Sequence, residues 1–336
     1  MIVDRYYYNQ LNKPEKEVYK AFYKGILEHK DFIPVPVKNF SQEMFQRVYD
    51  AITDDNPLVY YINQSVISLA SDAFGNTAIC PQYFFTEEKI KEYNKKIQDT
   101  VNKLAYTLKL SEGTDLEKEK KVHDYICKNI KYEFEGTDKS QPVKVITSHN
   151  IIGVFAHHSA QCEGIAKAVK VLLNAVDVKC IVVSGKALSD EGHMCDHSWN
   201  IVNIGGEPTH LDVTWDIGSS SRGAISYDYF NLTDAQISVD HSVAGKVPIC
   251  KSENSNYFKI NKLVFNNKLM LKAYMDKGIK AGNKKFYFKV AGNIKPQIVI
   301  NEMSEYGSQL LLKKGQQVRY SQAINEKMRT CRIIFR

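Results

Sequence analysis

The sequence predicts an α+β protein in which a helix starting at Cys162 packs on an antiparallel sheet, between a mainly helical N-terminal extension and a basic C-terminal α/β or β-rich module. Three observations carry this expectation. In CEGIAKAVKVLLNAV, residues Ile165, Val169, Leu172, Leu173 and Val176 recur at the spacing of one helix face. The runs CIVVSGKA, HSWNIVNI and PTHLDVTW then read as strands, the last two joined by Gly205-Gly206, a pair suited to the positive φ of a hairpin turn. Before these elements, Leu11, Val18, Tyr19, Phe22 and Ile26, and later the run EEKIKEYNKKIQDTVNKLAYTLKL, follow a helical period.

The elements group into three expected units: 1–112, 113–243 and 244–336. Within the first, DDNPLVYYI, SVISLASDAF and TAICPQYFF mix Pro, Asn and Gly with short apolar runs, which predicts one or two strands between the helices. The second opens on a capping signal at Thr114, acids in the first turn, and Val122, Tyr125, Ile126 and Ile130 along one face. KVPICKSENSNY marks the boundary of the third. There 19 Lys and Arg stand against 5 Asp and Glu, a balance of +14, whereas residues 1–243 hold 26 against 33, or −7. Such a tail suits an anionic surface or polymer. A specific nucleic-acid site is not expected, since no nucleic-acid motif accompanies the charge.

The 336 residues are 43% hydrophobic and 25% charged, which places the chain among globular proteins of more than one structural unit. No stretch approaches the roughly 18 apolar residues of a membrane span, and MIVDRYYYNQLNKPEKE is too polar for a signal peptide. A soluble chain is expected, cytoplasmic, or secreted to the cell envelope if a leader precedes Met1. Seven cysteines at irregular spacing do not form a disulfide framework, so most are expected to be reduced and buried.

Chemistry concentrates on three residues. A thiol attacks as thiolate, and a helix N-terminus offers about half a positive charge and unpaired amide donors where that anion, or the oxyanion of a tetrahedral intermediate, would sit. Cys162 occupies such a position. With Gly205-Gly206 as the turn, Ile204 faces Glu207 and Trp199 lies opposite Asp212. His197 is two positions from Trp199 on the same side of the sheet, so His197 and Asp212 become diagonal neighbours about 7 Å apart at the backbone. A carboxylate there fixes the imidazole tautomer and leaves the other nitrogen to take a proton from the thiol.

The segments QCEGIAKAVKVLLNAVDVKCIVVSG, DHSWNIVNIGG and HLDVTWD, in this order and spacing, resemble the three motifs of the bacterial transglutaminase-like family. The flanking EKKVHDYICKNIKYEF and YFNLTDAQISVDH are similar to segments beside those motifs, so the resemblance spans about residues 115–242; YYYNQLN and DDNPLVYYI resemble an extension found in bacterial members. The resemblance implies a papain-like core whose nucleophile, base and orienting acid carry over to Cys162, His197 and Asp212. Departures are Ser198 in place of a common Ala, and Asp177 and Val178 in place of Gly and Ile. None removes a reacting group.

Other residues have two readings each. Gln161 donates to an oxyanion or is a solvated linker, and Trp199 and Trp215 pack around the site or shield a thioester from water. Tyr132 resembles a family tyrosine near the cleft, or is core at the end of an amphipathic helix. His123 and Cys127, at i and i+4, read as core. His193, Cys195 and His197, with His157 and His158, contain zinc-ligand types but lack paired spacings, and a metal on His197 would remove the base, so neither a metal nor a cofactor is expected. The expected activity is acyl transfer from a peptide or glutamine-type amide through a thioester on Cys162, as a peptidase or amidase. The alternatives are a protein cross-linking transglutaminase and a non-catalytic scaffold that keeps the fold.

Overall fold

The computed structural model describes residues 5–63, 66–134, 147–189, 192–220 and 224–336. Helix Lys13–Leu27 begins with a capping box in which Asn12 and Glu15 satisfy each other's backbone amides. It packs Val18, Phe22 and Ile26 against helix Gln42–Asp55. Helix Glu87–Thr107 completes the helical part. The extended residues between the helices make a sheet of three short strands, Ile33–Pro34, Thr77–Cys80 and Ser68–Ser71. One apolar cluster runs from Leu11 through Val122, Leu172 and Val202 to Phe230, so the N-terminal helices and the residues beyond 113 share a core. Among the described residues, no helix is long and apolar enough to cross a membrane.

Helix Cys162–Asn174 lies at the centre of that core, with every residue from Gly164 to Asn174 buried. It packs on a five-stranded antiparallel sheet ordered His241–Val243, Cys180–Leu188, Met194–Ile204, Glu207–Leu211 and Phe230–Leu232. Gly205 and Gly206 take φ of 61° and 93°, and Ile204 pairs with Glu207 and Asn200 with Leu211. The run PTHLDVTW is not one strand, however. It stops at Leu211, because the Asp212 side chain accepts from the Trp215 amide and caps a helix, Val213–Ser219. Helix Asp115–Asn129 also ends earlier than its apolar face suggests, and Lys131–Tyr132 pairs in parallel with Ser159–Ala160.

The C-terminal residues form a four-stranded sheet ordered Val264–Phe265, Lys285–Val290, Thr330–Phe335 and Tyr320–Asn325. Helices Lys268–Lys280 and Pro296–Leu312 bring Met275 and Met303 into one apolar cluster with Phe286, Phe288 and Ile333. The alternate residues of the same strands turn the other way, toward the chain around the five-stranded sheet. Tyr287 and Thr330 donate their hydroxyls to the Asp228 carboxylate, and Arg332 donates to the Ser219 carbonyl at 3.0 Å. Met328 is buried with Tyr229, Leu232, Ile237 and Trp215. Part of the tail's positive charge is therefore used internally: Arg329 donates to the carbonyls of Val290, Gly292 and Ile294, and Lys314 to that of Ile279.

Asp228 gives this contact a measurable strength. Tyr287→Phe removes one donor to a buried carboxylate and should lower stability by about 1–3 kcal/mol. Trp199 lies in the five-stranded sheet and Trp215 in its capped helix, where it touches Met328 of the C-terminal turn, so their fluorescence reports the five-stranded sheet and its contact with that turn. A urea midpoint, followed by tryptophan emission, that stayed at the wild-type value would show the two sheets to be energetically independent.

Candidate active site

Cys162 is the first residue of its helix and is half-buried. The residues before it are held by the backbone: the Gln161 amide donates to the Ser148 carbonyl at 2.8 Å, and the Glu133 amide to the Ala160 carbonyl at 3.1 Å. Gln161 is the N-cap, but its side chain makes no capping hydrogen bond. The helix therefore starts without a side-chain acceptor for its first amides. Gly164 is required by close approach, since a Cβ there would lie 2.7 Å from the Ser148 carbonyl oxygen and 2.8 Å from that of Asn150. The Cys-Glu-Gly sequence thus lets the first turn sit directly on the chain that precedes it.

His197 belongs to strand Met194–Ile204. Its Nε2 donates to Asp212 Oδ2 at 2.7 Å, and the Cys162 thiol is near enough to favour the charged ring. Burial opposes a charge on this ring, but Asp212 and Cys162 outweigh it and push the imidazole up to about 10. Burial would likewise raise Asp212, yet His197 and a second histidine, His241, hold it well below the carboxylate range. His241 Nε2 donates to the same Oδ2 at 3.0 Å, and Asp212 Oδ1 accepts from the Trp215 amide at 3.1 Å. A thiol at a helix N-terminus, an imidazole near it and a carboxylate saturated by donors are the groups that a cysteine nucleophile requires.

Residues 102–213 match the sequence profile of the transglutaminase-like superfamily. This chain carries a transglutaminase-like core. It is similar to kyphoscoliosis peptidase of Mus musculus, with 25% identity over 202 residues that cover 53% of this chain and 29% of the relative. The chain thus spans less than a third of that relative's length. Among solved structures it is similar to a TGase, at 16% identity and a TM-score of 0.32, covering 55% of this chain and 50% of the other. A candidate cysteine protease from Cytophaga hutchinsonii is similar at 12% identity and a TM-score of 0.29, covering 56% and 80%.

Around the transglutaminase-like core, the remaining expected residues separate. Trp199 stacks on His197 at 6.0 Å between centroids and is almost fully buried. Its Nε1 donates to His210 Nδ1 at 3.0 Å, and His210 Nε2 in turn donates to Asp234. Trp215 meets His197 edge-on at 6.1 Å and is partly exposed. Tyr132 lies near enough to Cys162, Asp212 and Cys195 to sense their charge, and burial first, then these groups, push its hydroxyl up to about 12. It belongs to a strand rather than to a helix end. His123 is fully buried, with Nε2 3.1 Å from Asp216 and Cys127 at 3.6 Å.

Among the described residues, two groups bring three metal-ligating atoms together: His197, Asp212 and His241, and His210, Asp234 and Cys250. Neither includes His157, His158, His193 or Cys195. In the second group, the Trp199 donor occupies His210 Nδ1, which places the proton on Nε2 and leaves no lone pair toward Asp234. The cysteines are all free, but only Cys180, Cys250 and Cys331 are buried, and Cys195 is exposed; the expectation that most are buried is corrected.

Sequence reasoning missed His241 and its partner Asp240. The signal that could have found them is Gly185-x-Ala187 on the strand between. Gly185 faces His197 and Ala187 faces His241, so neither carries bulk to separate the two imidazoles, whose centroids are 5.4 Å apart.

Two measurements check this site. His197 lies above the ~6.5 of an unfolded histidine, so its proton contributes stability that is complete below about pH 6.5 and is lost as pH rises through about 10. The difference in unfolding free energy between wild type and His197→Gln should therefore shrink from pH 6 to pH 10, and a constant difference would contradict the pairing. At pH 6, where an ordinary thiol is more than 99% protonated, iodoacetamide should alkylate Cys162 before the more exposed Cys195. Earlier labelling of Cys195 would remove the case for an activated Cys162.

Proposed function

We propose that the protein is a cysteine-dependent acyl-transfer enzyme that cleaves a peptide or glutamine-type amide through a thioester on Cys162. The observation that carries this is the His197 ring, bonded at Nε2 to buried Asp212 and close enough to the Cys162 thiol for that group to favour its charge. The Cys162 sulfur attacks the amide carbonyl while its proton resides on His197. The carbonyl electron pair moves to oxygen, where the free amides of the first helical turn face the negative charge. When the tetrahedral intermediate collapses, the carbon–nitrogen bond breaks and His197 gives its proton to the leaving amine. Water, deprotonated by the same ring, then attacks the thioester and returns the thiol.

Water is the proposed acceptor because the cleft supplies what hydrolysis needs: Cys162 is half-exposed and His197 is its base. A cross-linking enzyme uses the same first half-reaction and replaces water with an amine. The peptidase relative agrees with hydrolysis only by likeness, over less than a third of its length. Trp215 lies partly exposed at the edge of the His197 ring.

The test is a peptide library containing internal glutamine, incubated with the full chain and quenched in acid. A thioester adduct on the peptide containing Cys162 is expected, absent in Cys162→Ala. Asp212→Asn should fold yet lose about 10³-fold or more in turnover, because the amide no longer favours the imidazolium. Released amine without a covalent adduct, or turnover that persists in Cys162→Ala, would refute the mechanism.

A further inference from the structure

Asp212 serves two histidines. The second, His241, is enclosed: its side chain has no solvent exposure, and the rings of Trp199, Trp215 and Tyr229 lie 5.1, 5.3 and 5.6 Å from its own. Its Nε2 is 3.0 Å from Asp212 Oδ2, and its Nδ1 is 2.6 Å from Asp240 Oδ1. A neutral imidazole has one N–H, so in either tautomer one of these contacts would set a nitrogen lone pair against a carboxylate oxygen. The imidazolium alone donates to both. Asp240 is fixed in turn by the Tyr229 hydroxyl, which donates to Oδ2 at 2.7 Å, and by Lys327 Nζ 4.0 Å from the same oxygen.

Resting on the proposed reading of Cys162 and His197, we propose that His241 is a positioning residue: a resident cation that holds Asp212 in place and shares its charge, so that His197 can release its proton. Acyl transfer needs this balance. A buried carboxylate serving one histidine alone would keep that ring as an imidazolium and make it a poor acid toward the leaving amine. A second cation 5.4 Å away opposes the charge on His197. The charged or titratable groups around the pair include Asp212, Asp240, Cys162, Tyr132, His210, Tyr229 and Lys327. The strand between the two histidines contributes only Gly185 and Ala187 opposite them.

The arrangement also gives the C-terminal module a part in the site. Lys327 comes from the turn between its last two strands, donates to the Leu188 carbonyl at 3.2 Å, and lies over the Trp215 ring at 5.4 Å. Its charge reaches His241 through Asp240.

The test follows iodoacetamide labelling of the Cys162 peptide by mass spectrometry from pH 4 to pH 11, in the full chain. Wild type should show two inflections, the lower from formation of the thiolate–imidazolium pair and the upper from loss of the His197 proton. His241→Gln keeps a donor but removes the charge, so the upper inflection should move upward by about 1–2 pH units. An upper inflection that stays in place or falls overturns the proposal, since a packing role predicts no upward shift. A single wild-type inflection near the ~8.5 of a free thiol would instead defeat the Cys162–His197 reading itself, and this inference with it. Tryptophan-monitored unfolding establishes that the variant is folded. If it is not, ¹⁵N-histidine spectra of the wild type decide: His241, assigned by contacts to the Trp199 and Trp215 indoles, should be doubly protonated at pH 7, and a neutral tautomer there overturns the proposal.

Discussion

A carboxylate with no access to water must be matched by donors on every side, and Asp212 is such a carboxylate. Its two oxygens take three donors, from the ring nitrogens of His197 and His241 and from the Trp215 amide, while its own amide donates to the Tyr229 carbonyl at 3.0 Å. Each partner comes from a different element. The anion is therefore stable only when the hairpin, the edge strand and the capped helix are all in place. Leaving one donor out would leave a buried charge short of a partner, at a cost of several kcal/mol. This constraint couples formation of the site to completion of the fold.

The same device recurs along the segment that follows. Asp216, one helical turn after Asp212, meets His123 of helix Asp115–Asn129 at 3.1 Å, and its Oδ1 accepts from the Tyr229 amide. His123 also meets Asp124, which accepts from the Tyr227 hydroxyl at 2.8 Å. Asp228 then takes the hydroxyls of Tyr287 and Thr330 from the C-terminal sheet. Three acids on one stretch of chain thus point to three layers: Asp212 to the five-stranded sheet, Asp216 to the helical core, Asp228 to the C-terminal sheet. Rigidity at Asp212, which precise placement of the His197 ring demands, is supplied from all three directions.

What the sequence made legible was whatever local pattern determines. The apolar stripe after Cys162 and the Gly205-Gly206 turn are periodic or stereochemical signals, and together they put His197 beside Asp212. Other features depended on contacts that no local pattern encodes. Val213, Thr214 and Trp215 are good strand formers, so PTHLDVTW looks extended; the Asp212 cap and the pull of His123 on Asp216 turn it helical. His241 sits on a strand of three residues, too short for a period to show. In Lys285–Val290 and Thr330–Phe335, the alternation of Tyr287 and Arg332 with large apolar residues looks like an ordinary solvated face. It is instead a docked one, and only the partner surface reveals that.

This docking changes what the positive tail means. A balance of +14 over residues 244–336 suggests long-range attraction to an anionic partner. Several of its cations, however, have assigned work inside the fold. Arg332 lies over the Tyr287 ring at 4.8 Å while it donates to Ser219, Arg329 ties three carbonyls, and Lys327 stands beside Asp240. Arg329 answers carbonyls within the tail, whereas Arg332 and Lys327 answer Ser219, Leu188 and Asp240 before residue 244. One ion pair, Lys327 with Asp240, joins the tail to the more acidic part of the chain. A partner drawn to the lysines that remain outside, such as those of helix Lys268–Lys280, would bind a module whose far edge touches the support of His241. Attachment and chemistry would then not be independent properties of two domains, because the turn bearing Lys327 belongs to both.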